Sequence, residues 1–281
     1  MKWQWGRLLA FGTFALALAG PPGTGVAAPV TLTDRNSSVI VDSATNAGML
    51  NWTVDGVSHL SQQWFWYRLG ATGPEKPINT LPMLGQMVSN TNFNAGMDTL
   101  AVRYGDAAFR VEIRYSLHGG TPGSMTADVS ETIWFQNLGS TPLDAHFYQY
   151  NNFDLGGTPG NDVAIRSNEN TIRQYDAATT FAETVSTPVA DHFEIALLPD
   201  TRLELDDAVA TTLSDGAMAV GPGDVAWALQ WDFTLDPGDT FIISKDKLVL
   251  PVANQVPNPA TLVLLGGGLL TAVGFVRRGL A

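Results

Sequence analysis

The chain has 281 residues, no cysteine, and 27 acidic against 15 basic side chains, a formal net charge of −12. Without cysteine there are no disulfides, thiolate metal sites or cysteine nucleophile, so stability has to come from an apolar core of ordinary size. The acidic balance argues against nucleic acid as a partner, because such binding is driven by Lys and Arg neutralising phosphates.

At the N-terminus, Lys2 and Arg7 form a charged region, Leu8 to Ala19 an apolar stretch of 12 residues, and small residues follow at Gly25, Ala27 and Ala28. This order reads as a removable secretory signal helix over residues 1–27, cut after Ala27 because a cut after Ala28 would place Pro29 next to the scissile bond. Lys2, Arg7, Arg277 and Arg278 lie outside the body, which therefore carries 11 basic against 27 acidic residues, a net of −16. Such a surface repels anionic lipid and favours solubility.

Residues 28–250 read as one β domain. Period-two alternation recurs and helical periodicity is nearly absent. Strands are expected at Ser37–Asp42, Leu50–Val54, Gln63–Leu69, Thr99–Tyr104, Phe109–Leu117, Met125–Asn137, Ala145–Phe153, Asn170–Tyr175, Phe181–Val185 and Asp191–Leu198. Val225–Leu235 and Thr240–Leu250 alternate in the same way, and the Asp236-Pro237-Gly238-Asp239 turn between them predicts a hairpin. About a dozen short strands without intervening helices predict an all-β fold, an antiparallel β-sandwich of jelly-roll or super-sandwich type.

Nucleophile-elbow, zinc-protease, phosphate-loop and dinucleotide motifs are all missing. Ser244 and Lys247 fit a Ser-x-x-Lys pattern, but on a strand they point to opposite faces. His59, His118, His146 and His192 are not at metal-ligand spacing. Glycoside hydrolysis needs two carboxylates roughly 5 to 10 Å apart; Glu112, Glu131, Asp144, Asp154 and Glu194 are candidates, and nothing in the sequence selects a pair.

Carbohydrate contact has a more specific signal. On a strand, His146, Tyr148 and Tyr150 share one face with Asn152, a platform on which sugar rings can stack; Trp64 to Tyr67 form a second aromatic run. Aromatics also fill sandwich cores, and core burial is the stronger expectation for both segments. The loop Asp154 to Asp162 places oxygen ligands among glycines, so calcium is a possible cofactor bound by those two aspartates; its single occurrence favours a simple hairpin loop and no metal.

Pro251 to Pro259 read as an extended tether. Beyond it, Pro257-Asn258-Pro259 precedes 17 uncharged residues, Ala260 to Val276, and the pair Arg277-Arg278. A helix of that length extends about 25 Å, enough to span a bilayer core, and the two arginines place it as a transmembrane helix with its basic tail in the cytoplasm. The segment resembles the PEP-CTERM sorting signal of Gram-negative bacteria, with Asn258 standing where that family has Glu. The resemblance implies an exosortase-type membrane protease as processing partner, transient anchoring in the inner membrane over residues 260–281, and delivery to the cell surface or an exopolysaccharide matrix.

These readings converge on an exported, non-enzymatic surface or matrix protein with a structural or adhesive role. The alternative is a secreted carbohydrate-active enzyme, a glycosidase or lyase using paired carboxylates.

Overall fold

The computed structural model describes residues 28–252. The signal segment 1–27, the sorting motif Pro257-Asn258-Pro259, the expected helix 260–281 and its Arg277 and Arg278 lie outside the described residues. Among the described residues no helix is long and apolar enough to cross a membrane.

In chain order the strands are β1 (Val30–Asp34), β2 (Ser37–Asp42), β3 (Gly48–Val54), β4 (Val57–Ser58), β5 (Leu60–Leu69), β6 (Lys76–Pro77), β7 (Met83–Ser89), β8 (Thr99–Gly105) and β9 (Phe109–Gly119). They continue as β10 (Ala127–Asn137), β11 (Leu143–Phe153), β12 (Asp162–Asn168), β13 (Thr171–Tyr175), β14 (Thr179–Thr187) and β15 (His192–Leu197). After helix α1 (Asp200–Asp206) come β16 (Ala219–Gly223), β17 (Val225–Leu235) and β18 (Thr240–Pro251).

Two sheets form. The first runs β1-β2-β3-β5-β11-β17-β15, with β4 and β6 attached at β3 and β5; the second runs β16-β12-β13-β14-β18-β10-β9-β8-β7. Pairing is antiparallel throughout except for a short parallel contact of β3 with β5. Each expected strand is present. β1, β4, β6, β7, β12 and β16 are additional: β4 and β6 span only two residues each, β16 is Ala-Val-Gly-Pro-Gly, an edge strand that reads as a turn, and β7 is an edge broken by Gly85. Helix α1 spans only seven residues, too few to show a period, and is held by burial of Thr201 and Leu205.

Two connections differ from expectation. The turn at Asp236–Asp239 closes as predicted, with Asp239 N–H donating to Asp236 O at 3.0 Å and Gly238 at φ 89°. It does not make a hairpin, because it carries the chain from the first sheet to the second. Both edges of β17 are occupied by β11 and β15, and both edges of β18 by β10 and β14. Asn137 pins this corner, donating from its backbone to Asp239 O at 3.0 Å and from its amide to Leu235 O at 2.9 Å. The loop from Asp154 to Asn161 is likewise a crossing from β11 to β12, not a hairpin. The tether also starts later than expected, since Pro251 ends β18 and Val252 N–H bonds Ala178 O at 2.7 Å.

Aromatic side chains from both sheets fill the space between them. Phe153 of β11 meets Phe181 of β14 with ring centroids 3.9 Å apart and stacks on Trp227 of β17 at 5.4 Å; Phe135 of β10 meets Phe147 of β11 edge-on at 6.2 Å. Within this apolar layer lies a four-charge cluster. On the inward face of β18, Lys245 and Lys247 take positions between Ile243 and Val249. Glu131 of β10 stands directly across from Lys245, and Glu183 of β14 directly across from Lys247. Glu131 is 2.7 Å from both ammonium groups, and Glu183 lies 3.5 and 3.3 Å from them, with all four side chains fully enclosed. Gln149 of the opposing sheet donates to Glu183 at 2.8 Å.

Burial raises the cost of ionising Glu131, yet the two ammonium groups win and hold its carboxyl below the usual range; burial pushes Lys245 down to about 8. Removing one partner leaves a buried charge uncompensated. Glu131→Gln should therefore lower unfolding free energy in urea by about 3–5 kcal/mol, and adding Lys247→Gln should recover part of the loss. A single-variant loss below about 1 kcal/mol would show that the cluster is not electrostatically committed.

Candidate functional site

The outer face of the first sheet gathers polar and titratable side chains from four neighbouring strands. Strands β5, β11, β17 and β15 lie side by side, and alternation turns one set of side chains outward: Trp64, Trp66 and Arg68; His146, Tyr148 and Tyr150; Gln230 and Asp232; His192 and Glu194. Register places His146 directly between Arg68 and Asp232, and Gln230 between Tyr148 and His192.

Half of this face is roofed by residues 200–215. Arg202 of α1 lies over the Trp66 ring at 4.6 Å and near Tyr150 at 5.7 Å, and Trp66 Nε1 donates to Asp206 at 3.1 Å. Downstream, Thr211 O accepts the Tyr148 hydroxyl at 2.8 Å, Thr211 N–H donates to Glu75 at 2.9 Å, and Leu213 N–H donates to Gln230 at 2.9 Å. Arg68 pairs with Glu75 at 2.9 Å beneath the same segment. Tyr148 and Tyr150 are consequently 0% and 1% exposed, so neither ring offers the open face that sugar stacking requires. Burial pushes both phenols above their ordinary value. Trp64 to Tyr67 are buried too, as core packing predicts.

At the edge of the roof, where Asp215 ends it, the face carries a row of imidazoles and carboxylates that is half-buried at His146 and more exposed at His192. His146 Nδ1 meets Asp232 Oδ1 at 2.6 Å, and His192 Nδ1 meets Asp215 Oδ2 at 2.6 Å. The row is closed by His192 Nε2 at 3.6 Å from the other Asp232 oxygen, and extended by Asp144 at 3.9 Å from His146 Nε2. Gln230 donates to both oxygens of Asp232 at 2.8 and 3.0 Å, and Asp191 accepts the Asp232 backbone N–H at 2.8 Å. Burial raises the Asp215 carboxyl, but His192 and the Phe193 N–H outweigh it and hold the group below its usual value. A carboxylate on Nδ1 orients each ring, and His146 Nε2 is buried without a hydrogen-bond partner among the described residues.

Sequence reasoning placed His146 here but missed its partners. His192 and Asp232 sit 46 and 86 positions away, and only the β11-β17-β15 pairing brings them together. Of the carboxylates considered, Asp144 reaches this row, whereas Glu194 is taken up by the roof, accepting from Thr201 at 2.9 Å. Glu131 belongs to the interior cluster and Glu112 to the outer face of the other sheet.

Asp154 and Asp162 frame the crossing loop. Asp162 is buried, accepting from Leu155 N–H at 3.2 Å and from Gln174 at 2.7 Å, and the neighbouring Gly156 N–H donates to buried His59 at 3.2 Å. Among the described residues no three His, Asp or Glu side chains are grouped to hold a metal ion.

No protein-family model matches this sequence, and no curated protein matches it. Solved structures do. A bacterial glucoamylase complexed with acarbose aligns over 84% of this chain and 35% of its own, with TM-score 0.52 and 10% identity. A galactose mutarotase-like protein from Lactobacillus casei aligns over 79% of this chain and 100% of its own, with TM-score 0.41 and 11% identity. The likeness to the glucoamylase is one of fold. This chain spans about a third of that enzyme's length.

Burial raises Asp162 from 3.8 to about 7, against the two hydrogen bonds it accepts. The folded state then keeps a proton that the unfolded state has lost across that interval, so this group makes stability fall as pH rises from about 4 to about 7. Asp162→Asn keeps an acceptor for both donors. It should flatten the decline in urea midpoint over that interval relative to wild type, and parallel curves would contradict the assignment.

Proposed function

We propose that this is an exported, glycan-contacting β-sandwich with an adhesive or structural role, and that the partly exposed row His146–Asp232–His192–Asp215 is where its body meets sugar. The observation that carries the reading is the pairing of each imidazole with a carboxylate at 2.6 Å on a sheet face that is half-buried at His146 and more exposed at His192. Such a row alternates donors and acceptors at fixed positions, which is what an array of sugar hydroxyls requires. Its excess of aspartates favours a neutral or amino-bearing glycan over an acidic one. The glucoamylase fold likeness is compatible with carbohydrate contact and adds nothing about ligand identity.

Export rests on the sequence: the charged and apolar N-terminal segment, and the C-terminal resemblance that implies an exosortase-type protease, transient inner-membrane anchoring and delivery to the surface or an exopolysaccharide matrix. Recovery of the exported protein still beginning at Met1 would contradict this route.

A second reading is favoured by the Asp232 carboxylate against His146 Nδ1. Asp232 on Nδ1 orients the ring as in a general acid–base residue of a carbohydrate-active enzyme, and the buried Nε2 would have to be uncovered for a substrate to reach it.

Calorimetric titration with neutral oligosaccharides separates the two. Binding without turnover, weakened about tenfold or about 1.4 kcal/mol by His146→Ala, is expected. Release of new reducing ends, abolished by the same variant, would support the enzyme instead. Undiminished binding by His146→Ala would remove this face from consideration.

A further inference from the structure

The outer face of the second sheet carries the opposite electrostatic character. Of the 11 basic residues of the body, Lys245, Lys247 and Arg68 are buried in ion pairs, whereas Arg103, Arg110 and Arg114 project outward from two adjacent strands, β8 and β9. Cross-strand register arranges their surroundings as a small lattice. One row reads Arg103, Glu112, Trp134, Ile242 across β8, β9, β10 and β18; the row on one side reads Arg114, Thr132, Ser244, and on the other Arg110, Gln136, Thr240. A shallow depression of about 310 Å³ lies here, lined by Arg110, Glu112, Arg114, Trp134, Gln136 and Thr240.

The lattice is internally ordered. Glu112 pairs with Arg103 at 2.6 Å and stands 3.8 Å from Arg114, and Arg110 donates to Gln136 at 2.6 Å. The Arg114 guanidinium sits 5.4 Å from the centroid of the half-buried Trp134 ring, whose direct cross-strand neighbour is the exposed Ile242. Three guanidinium groups against one carboxylate leave this patch at +2 on a body of net −16. Such a local reversal attracts an anion to one place on a molecule that otherwise repels it.

We propose that this face binds an acidic polysaccharide of the polyuronate class. The chemistry of the patch selects that occupant. Guanidinium groups pair with carboxylates in a planar fork. An indole and an aliphatic side chain side by side offer an apolar strip to the face of a sugar ring. Thr132, Ser244, Gln136 and Thr240 supply hydroxyl and amide partners on a flat surface. A carboxylate fixed on Arg114 brings its own ring against Trp134, so charge recognition and ring contact act on one residue of the polymer. At the far end of the sheet the outward Asp128 and Asp246 reverse the sign again, which limits the site to the arginine end. The inference is independent of the His146 row, which lies on the other sheet.

The test uses the full-length protein in a neutral detergent, titrated with polygalacturonate oligosaccharides, neutral glucan oligosaccharides and polyglutamate of matched charge. Polygalacturonate is expected to bind, at least tenfold more tightly than polyglutamate and more weakly as salt is raised. Arg110→Ala with Arg114→Ala, and separately Trp134→Ala, should each weaken it at least tenfold while His146→Ala leaves it unchanged. All of these side chains lie on the outward faces of the sheets and none in the core between them, so an unchanged circular dichroism spectrum is expected. Conversely, no polygalacturonate binding, equal affinity for polyglutamate, or binding untouched by Trp134→Ala would overturn the proposal. Loss on His146→Ala alone would move acidic-glycan binding to the other face and equally overturn it.

Discussion

Lys245 and Lys247 on the inward face of β18 set a condition that the surrounding strands have to meet. An ammonium group between aromatic rings, such as Lys245 at 4.9 Å from the Phe65 centroid, cannot stay charged there without carboxylates at contact distance. Glu131 and Glu183 supply them from the strands on either side, so that β10, β18 and β14 are locked in one register. A slip of one residue would turn both lysines outward and Ser244, Asp246 and Leu248 inward, leaving two glutamates buried without partners. Gln149 extends the constraint to the facing sheet by donating to Glu183. A purely apolar interface of the same volume would resist sliding less, because apolar contacts are non-directional.

A filled interior moves function to the two outer faces, and these have become chemically distinct. The first face is half covered, because α1 and the segment through Asp215 satisfy the outward Trp66, Tyr148 and Gln230 with hydrogen bonds of their own. What stays open there is acidic and imidazole-rich. Among the described residues the second face has no such roof over Trp134, and Arg110 and Arg114 flank Glu112, the direct cross-strand partner of Arg103. An acidic row on one face and an arginine patch on the other can engage different chemistries without competing, since the core separates them.

Much of the strand layout was legible because alternation is a local property. Phe109 to Leu117 and Val225 to Leu235 alternate without interruption, and both are strands over those residues. The same parity places Lys245 and Lys247 with Ile243 and Val249, so the buried lysines were readable as a violation of the apolar pattern. Pairing was not legible. Asp236-Pro237-Gly238-Asp239 has hairpin chemistry, but whether its flanking strands pair depends on β10, β11, β14 and β15, all distant in sequence. The tyrosine face shows the same limit: strand parity correctly puts His146, Tyr148 and Tyr150 together, while the roof that buries the two tyrosines comes from residues about 60 positions on, with no period to announce it. His146 became part of a site only through Asp232 and His192, which no spacing rule joins to it.

Side-chain NMR reads both faces in one sample, through the imidazole nitrogens of His146 and His192 and the indole of Trp134. The account predicts that a neutral oligosaccharide shifts the two imidazoles and leaves the Trp134 indole in place, and that a uronic-acid oligosaccharide does the reverse. Shifts of the same residues by both ligands, or of none by either, would contradict it.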